Sequence, residues 1–410
     1  MFTVLAVFGT RAEAIKFAPL IRELRGREQV RTLVAVTGGR ETLVDRVLGL
    51  FDIQPDADLR LLEDPSAAPA DLATQFANVT NGLAEAIPRF SPDLVVVLGD
   101  GITTLSASLV AYYRRIPVAH VEAGLRVSDK FGTFPEEGHR LMVGSIADLH
   151  FAPTEHAREN LLAEGVEADK ICVTGNTGLD ALRFVRDRLE SMRAAREISL
   201  PEIFSNDGGQ AISASAIKAI WEVEHGDRRL VLVTGSRPET FGAKLQTICG
   251  ALSRLSDEYP DDLFVYPVDL AQPLRERIDQ MLHDHDNIFV VPPLNYLPFV
   301  YLMTVCDLVL TDSGSIQEEA PALGKPVLLM RSLTDRPEAL RAGGIKLVGT
   351  DAVHIVSAAR DLLNNKERYE AMAKAPNPYG QGEASSVIVD RILTYAIERG
   401  LLEASTLQVS

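Results

Sequence analysis

The sequence has few cysteines, and their arrangement favours neither a disulfide framework nor a metal site. Cys172, Cys249 and Cys306 are odd in number, show no C-x-x-C spacing and have apolar neighbours. Disulfide frameworks and zinc sites need paired or clustered cysteines, so neither is predicted. We therefore expect three reduced core cysteines in a cytoplasmic protein.

Long hydrophobic runs and an excess of positive charge are also missing. No run reaches the roughly 18 apolar residues that a membrane span needs, and the apolar first ten residues lack the basic region of a signal peptide. Asp and Glu number 57 against 41 Lys and Arg, which gives a net charge of −16. This charge disfavours nucleic acid and anionic membranes as partners. An anionic ligand must then be bound by a local group of basic side chains and backbone N–H groups.

The length and the hydrophobic pattern predict two α/β domains. A chain of 410 residues is too long for one ordinary core. Short β-branched runs alternate with amphipathic segments in both halves, the pattern of parallel βαβ units that form doubly wound sheets with helices on both faces. The predicted strands are Thr3 to Phe8, Thr32 to Thr37, Leu94 to Leu98, Val118 to Val121, Leu149 to Ala152, Ile171 to Thr174, Arg229 to Thr234, Leu263 to Val268, Ile288 to Val291, Leu308 to Thr311, Pro326 to Met330 and Ile345 to Val348.

The domain boundary is predicted where the character of the sequence changes. Residues 183–228 combine a charged helix, a polar stretch and a second helix. We therefore predict a first domain over 1–182 and a second over 183–375. A final helix within 376–410 either closes the second sheet or crosses back to the first domain.

Charged side chains follow several strand ends in the first half. The first strand runs into Gly9-Thr10-Arg11 and a helix that carries Lys16, and later strands are followed by Asp100 and Glu122. A loop then carries Glu136, with Arg140 shortly after. Ligands of open α/β sheets bind at such strand ends, and several carboxylates at one edge suit general acid and base catalysis. Taken singly, each of these side chains could equally be an ordinary surface residue that faces solvent rather than a catalytic or binding residue.

In the second half, a small-residue turn is predicted to bind a pyrophosphate. A strand runs into Asp312-Ser313-Gly314-Ser315 and opens a helix, whose N–H groups and serine hydroxyls are suitable donors. Glu319 could bind ribose hydroxyls, and Arg336 supplies a further guanidinium, unless it forms a surface ion pair. No P-loop lysine pattern, G-x-G-x-x-G or H-E-x-x-H occurs, so no ATP, NAD, metal or other cofactor is predicted.

Long stretches of the chain resemble the bacterial UDP-N-acetylglucosamine 2-epimerases, the non-hydrolysing type most closely. The resemblance runs in order over nearly the whole chain and rests on VFGTRAEAIKFAPLI, PDLVVVLGDGITTLSASLVAYYRRIPVAHVEAGLR, FPEEGHR, FAPTEHARENLL, VTGNTGLDAL, LTDSGSIQEEAPALGKPVLLMR and RPEALRAGGIKLVGT.

The resemblance implies two Rossmann-like α/β domains that face each other across a cleft in a GT-B-like arrangement, in a homodimer. It implies that UDP is bound mainly by the second domain and that the sugar faces the first. It also implies anti elimination of UDP to a 2-acetamidoglucal and re-addition of UDP. By similarity, the catalytic set is Lys16, Asp100, Glu122, Glu136 and Arg140, and the set that binds substrate and UDP is Arg11, Ser236, Tyr296, Ser313, Gly314, Ser315, Glu319 and Arg336.

The chain departs from the family pattern at several positions. Ser236 stands where the family has a histidine near the phosphates, Asp269 replaces another histidine, and the region around Gly39 is shortened. The resemblance links these regions to a second, activating UDP-sugar site, so we hypothesise that this activation is lost or uses another effector. Gly101 replaces a threonine after the Gly-Asp pair, and residues 190–228 form a long connection. Either change could enlarge the sugar pocket.

Other functions remain compatible with these residues. A hydrolysing 2-epimerase would release N-acetylmannosamine and UDP from the same acid and base set. An epimerase of a modified UDP-amino sugar would explain an enlarged pocket. A catalytically silent UDP-binding protein and a glycosyltransferase of the same architecture are two further alternatives.

Overall fold

The chain forms two compact units, each built around one parallel sheet. The structure, a computed structural model, describes residues 1–38, 43–62, 71–127, 129, 131, 133–205, 212–235, 243–268 and 272–403. Unit 1 comprises Met1–Ala181 and Tyr379–Ser410, and unit 2 comprises Leu182–Pro378. Within the described ranges, no helix is both long and apolar enough to span a membrane.

The sheet of unit 1 is parallel throughout its described residues. Its seven strands follow the order β3-β2-β1-β4-β5-β6-β7. The strands are β1 (Phe2–Phe8), β2 (Val30–Val36), β3 (Ala57–Asp58), β4 (Leu94–Leu98), β5 (Val118–Val121), β6 (Leu149–Ala152) and β7 (Ile171–Val173).

The helices of unit 1 connect and cover these strands. They are α1 (Arg11–Arg25), α2 (Leu43–Leu50), α3 (Leu72–Phe90), α4 (Ile102–Tyr113), α5 (Glu136–Ile146), α6 (Glu155–Ala163), the start of α7 (Thr177–Ala194) and the last helix of the chain (Ala384–Glu398). That last helix packs against α1. Its N-terminus is fixed by Asp180, whose carboxylate accepts hydrogen bonds from the N–H groups of Ala384 and Ser385 at 3.2 and 2.8 Å.

The sheet of unit 2 repeats the same plan. Its six parallel strands follow the order β10-β9-β8-β11-β12-β13 in the described part of the unit. They are β8 (Leu230–Thr234), β9 (Leu263–Pro267), β10 (Ile288–Val291), β11 (Leu308–Thr311), β12 (Val327–Leu329) and β13 (Ile345–Leu347). The flanking helices are the remainder of α7, α8 (Leu200–Ser205), α9 (Ala214–Glu224), α10 (Ala243–Glu258), α11 (Gln272–Leu282), α12 (Tyr296–Val305), α13 (Ile316–Ala322), α14 (Pro337–Ala342), α15 (Ala352–Asn364) and α16 (Lys366–Ala373), so that the last helix of unit 1 is α17.

The hydrophobic sequence of the central strands explains their position in each sheet. All residues of β1 and β4 are buried, as expected for parallel strands covered by helices on both faces. Cys249 and Cys306 are buried in unit 2, Cys172 is half-buried in unit 1, and none of the three forms a disulfide.

The predicted fold class of two Rossmann-like α/β domains is confirmed. Each predicted strand is present within one or two residues of its expected ends. The short edge strand β3 was not predicted, because two residues without an apolar pattern give no signal in the sequence.

Each sheet contains one point at which the strand order reverses. In unit 1 this point lies between β1 and β4, and in unit 2 it lies between β8 and β11. The loops that leave neighbouring strands at such a point turn to opposite faces of the sheet and leave a crevice where ligands of α/β proteins bind. The predicted acid and base residues follow β1, β4 and β5, and the predicted UDP-binding turn follows β11.

Candidate active site

The turn after β1 is fixed by a buried carboxylate. Thr10 is the N-cap of α1, and Thr10 and Glu13 form a reciprocal capping box. Glu13 Oε2 accepts hydrogen bonds from the N–H groups of Gly9 and Thr10 at 2.8 and 2.9 Å. Burial raises the pKa of Glu13, in opposition to these hydrogen bonds. The start of α1, which carries Arg11 and Lys16, is therefore fixed at the end of β1.

Lys16 and Glu122 form a buried ion pair. Lys16 Nζ donates to Glu122 Oε1 at 2.6 Å, and both side chains are only 8% exposed. Asn176 Nδ2 lies 3.4 Å from the same oxygen. A buried carboxylate requires such partners, because its desolvation is otherwise uncompensated. The pair joins the helix after β1 to the loop after β5.

The backbone of Glu122 has a left-handed conformation that residues other than glycine rarely adopt. Its φ is 63°. Such a left-handed residue costs free energy and is found preferentially at functional sites, where the surrounding structure maintains it. Its carboxylate also lies near the turn after β4, since Oε2 is 3.7 Å from the position that a Cβ on Gly99 would take.

A second carboxylate and cation pair forms at Asp100. Arg140 Nη1 donates to Asp100 Oδ2 at 2.5 Å, and Arg140 Nε donates to Glu137 Oε2 at 2.9 Å. Arg140 Nη2 also donates to the Thr133 hydroxyl at 2.9 Å. The side chain of Arg140 is 3% exposed and that of Asp100 is 33% exposed, so the carboxylate of Asp100 remains accessible.

Glu136 and Arg11 are less enclosed than these pairs. Glu136 is the first residue of α5 and Arg11 the first residue of α1, and both are half-buried. The structure thus brings Lys16 together with Glu122, and Asp100 together with Arg140. All the predicted acid and base residues follow strands at one edge of the unit 1 sheet.

In unit 2, the turn after β11 is fixed from within by polar side chains. The N–H group of Ser313 donates to the Thr311 hydroxyl at 2.9 Å, and Gln317 Nε2 donates to the Ser313 carbonyl at 3.1 Å. Ser313, Gly314 and Ser315 are half-buried. The turn therefore places two hydroxyl groups and several backbone N–H groups near the surface of unit 2.

Arg336 lies beneath this turn rather than in solvent. It forms ion pairs with Glu318 and with Asp335, the latter at 2.6 Å, and its side chain is 7% exposed. Burial alone would raise the pKa of Asp335, but the charges of Arg336 and Arg331 lower it well below its usual range. The guanidinium also lies against Gly314, because a Cβ there would be 3.0 Å from Arg336 Nη1.

Tyr296 and Glu319 form a second buried contact near the turn. The Tyr296 hydroxyl donates to Glu319 Oε2 at 3.3 Å, and both residues are buried. Tyr296 opens α12 and Glu319 lies in the first turn of α13. This contact orients the carboxylate of Glu319 on α13, the helix that directly follows β11.

Three residues singled out in the sequence, Ser236, Asp269 and Gly39, lie outside the described residues.

Several functional candidates were missed by sequence reasoning. Glu137 and Asn176 carried a signal, since Glu137 adjoins Glu136 and Asn176 follows the strand end of β7. Glu318 is 18 residues from Arg336 and pairs with it only through the tertiary fold, whereas Asp335 precedes Arg336 directly and was not singled out.

The two Rossmann-like sheets place this protein among the GT-B-like α/β proteins. Residues 22–393 match the family model described as UDP-N-acetylglucosamine 2-epimerase, and the chain belongs to this family. It is therefore an epimerase, an enzyme of the isomerase class.

Individual relatives agree with this assignment. A Ralstonia nicotianae protein, named a probable UDP-N-acetylglucosamine 2-epimerase, is 47% identical over 395 residues, which are 96% of this chain and 100% of the relative. The UDP-N-acetylglucosamine 2-epimerase of Escherichia coli K12 is 43% identical over 390 residues, covering 95% of this chain and 98% of that protein. The crystal structure of the Neisseria meningitidis UDP-GlcNAc 2-epimerase bound to UDP-GlcNAc has a TM-score of 0.85 and 39% identity, and the match covers 96% of this chain and 100% of that chain.

Proposed function

We propose that the protein interconverts UDP-GlcNAc and UDP-ManNAc as a non-hydrolysing 2-epimerase. The observation that carries the proposal is the pair of carboxylates in unit 1, Asp100 and Glu122, each in contact with its own buried cation at one edge of the sheet. Membership of the family and the UDP-GlcNAc complex of the Neisseria enzyme support the choice of substrate.

The proposed reaction needs no redox step. A carboxylate of the enzyme removes the proton at C2 while the bond between C1 and the phosphate oxygen breaks, and a C1–C2 double bond forms as UDP leaves. UDP then adds back to C1, and a second acidic group delivers a proton to the opposite face of C2. Protons and electron pairs balance over the two steps, so the net change is inversion at C2.

Unit 1 is proposed to supply the acid and base groups. Asp100, Glu122 and Glu136 form the set from which the proton acceptor and donor are drawn. Lys16 and Arg140 fix Glu122 and Asp100 and provide positive charge for the departing pyrophosphate. Arg11, the first residue of α1, is proposed to contact a phosphate.

Unit 2 is proposed to bind UDP. The hydroxyls of Ser313 and Ser315 and the N–H groups of the turn at Gly314 would donate to the pyrophosphate. Glu319, oriented by Tyr296, would accept from ribose hydroxyls. Arg336 supports the turn from below, and Ser236 completes the set that we assign to UDP.

Proton NMR in deuterated water tests this function directly. UDP-GlcNAc incubated with the protein should acquire deuterium at C2 and yield UDP-ManNAc. Asp100→Asn, which keeps the shape of the side chain but removes its charge, is the matched control and should exchange at least about 10²-fold more slowly. Free ManNAc with UDP would instead establish the hydrolysing reaction, and UDP binding without exchange would establish a silent binding protein.

The absent side chain at Gly101 does not leave open space for a larger sugar. A Cβ on Gly101 would be 2.6 Å from Glu13 Oε1, so the carboxyl group of Glu13 already occupies this position. This contact favours unmodified UDP-GlcNAc over a bulkier UDP-amino sugar.

Gly101→Ala is therefore expected to displace Glu13 and to disturb the capping of α1. Loss of the hydrogen bonds from Gly9 and Thr10 should cost about 1–2 kcal/mol of stability, and kcat should fall about tenfold as the turn shifts. Chemical denaturation and initial rates measure both effects. Gly49→Ala in α2 is the control, because a Cβ there meets nothing within 4 Å. If Gly101→Ala and Gly49→Ala had the same stability and the same kcat, the contact between position 101 and Glu13 would be contradicted.

We also propose that the protein is a homodimer. Tyr112 and Tyr113 at the end of α4 are 59% and 79% exposed, and Met142 on the neighbouring α5 is 46% exposed. Large exposed apolar side chains on packed helices are typical of protein interfaces. Sedimentation velocity should give twice the chain mass of 44.7 kDa and, for Tyr113→Glu, the mass of a single chain.

A further inference from the structure

The backbone of the turn that carries Asp100 is contacted by two histidines. His120 Nε2, from β5, lies 2.7 Å from the carbonyl oxygen of Gly99, and His139 Nδ1, from α5, lies 2.8 Å from that of Asp100. A carbonyl oxygen only accepts hydrogen bonds, so both ring nitrogens must carry a proton and donate. Two consecutive carbonyls are thus bound by imidazoles from different elements.

The environment of His120 fixes its tautomer. The ring is buried, and its Nδ1 has no hydrogen-bond partner in the described part of the chain. Burial lowers the pKa of His120 to about 3, so the imidazole stays neutral at physiological pH with its single proton on Nε2. His120 is therefore a permanent donor to Gly99 near neutrality.

The turn itself depends on these contacts. Gly99 has a φ of 72°, which only glycine adopts without strain, and its N–H group donates to the Val121 carbonyl at 3.0 Å. Arg140 binds the carboxylate of Asp100 from the same helix that carries His139. Both the backbone and the side chain of Asp100 are consequently fixed by neighbouring elements.

We propose that His120 and His139 are positioning residues for Asp100. Their N–H groups fix the carbonyls of Gly99 and Asp100 and thereby set the direction in which the carboxylate of Asp100 meets the substrate. Neither histidine has to touch the substrate in this role. The inference rests on the proposed function in so far as Asp100 acts on C2 of a UDP-sugar, and a displacement of about 1 Å at such a group can cost about 10²-fold in rate.

Crossed amide substitutions separate this role from general packing. The amide nitrogen of Asn lies as many bonds from Cα as Nδ1 of His, and that of Gln lies as many as Nε2. His139→Asn and His120→Gln therefore keep the donor in place, whereas His139→Gln and His120→Asn misplace it.

The matched variants should keep kcat within about threefold of the wild type, and the misplaced ones should lose about 10²-fold in kcat with little change in KM. Equal loss for Asn and Gln at position 139 would overturn the inference. His139 is the primary site because the residue is 9% exposed whereas His120 is 1% exposed, so substitutions at position 139 disturb the core less and both variants are expected to fold.

A second measurement does not depend on turnover. In protein labelled with ¹³C at aspartate carboxyls, the Asp100 signal is assigned by its loss in Asp100→Asn, and its titration is followed in each variant. The titration should shift in His139→Gln and not in His139→Asn. An unchanged titration in both would overturn the inference. If the wild type lacked epimerase activity, the proposed function would fail, while this titration would still decide whether the histidines position Asp100.

Discussion

Lys16→Met is expected to slow turnover severely and to lower the free energy of unfolding by about 3–5 kcal/mol. The substitution removes the cation from a pair whose side chains are both 8% exposed, and it leaves the carboxylate of Glu122 buried without its main partner. Asn176 Nδ2, at 3.4 Å, is a weak and neutral replacement. We expect kcat/KM to fall by about 10³-fold or more, because the positive charge that we propose to act beside the reacting sugar is lost as well. Urea denaturation and initial rates measure the two effects.

A double-mutant cycle separates the electrostatic effect from the loss of packing. Glu122→Gln should also be destabilising, because it leaves Lys16 as a buried cation without this partner, and the double variant should recover part of the stability, because neither charge of the pair remains. It should not recover activity, since Glu122 belongs to the proposed acid and base set. Lys170→Met removes the cation of an exposed pair in the same unit and should leave stability unchanged. If the effects of Lys16→Met and Glu122→Gln simply added in the double variant, the ion pair would not be the source of the stabilisation.

Most of the fold could be predicted from the sequence because its signals are local. Strands such as β1 and β4 are runs of consecutive apolar residues, and buried parallel strands have this pattern in most proteins of the class. The capping box at Thr10 and Glu13 marks the start of α1 in the same way. The edge strand β3 escaped prediction because only pairing with β2 defines it, and its two residues carry no periodicity of their own.

The partners of the site residues could not be predicted, because they depend on tertiary contacts. The sequence placed Asp100 and Arg140 in the same set, but nothing in the spacing indicated that Thr133 shares the guanidinium. Glu137 lies three residues before Arg140, a spacing that indicates an ion pair only once both residues are known to lie on α5. The left-handed backbone at Glu122 is likewise invisible in a sequence, since φ is set by the loop that follows β5. Arg336 was predicted to face a phosphate, and its two buried carboxylate partners come from α13 and from the loop before α14.

Removal of Arg336 should destabilise unit 2 strongly and weaken UDP binding. Arg336→Met leaves Glu318 and Asp335, which are 2% and 9% exposed, without their shared cation. We expect a loss of about 3–5 kcal/mol in the free energy of unfolding. The turn at Gly314, which lies against the guanidinium, should lose its support, so the affinity for UDP measured by calorimetry should fall at least about tenfold. Arg360→Met, which breaks an exposed ion pair with Glu258 in the same unit, should leave UDP affinity unchanged.

The destabilisation by Arg336→Met should depend on pH with a defined sign. In the folded wild type, burial acts to raise the pKa of Asp335, but the charges of Arg336 and Arg331 outweigh it and hold this pKa below its usual range. A carboxyl group with a lowered folded pKa contributes stability above its unfolded pKa of about 3.9, and this contribution is lost as the pH falls through the folded value. Arg336→Met removes the larger of the two favourable charges, so its cost should be full at pH 7.5 and should shrink as the pH approaches 4 and below. Chemical denaturation at both pH values measures the difference. A cost that stayed constant over this range would mean that Arg336 stabilises unit 2 through the packing of its side chain against Gly314 rather than through its charge.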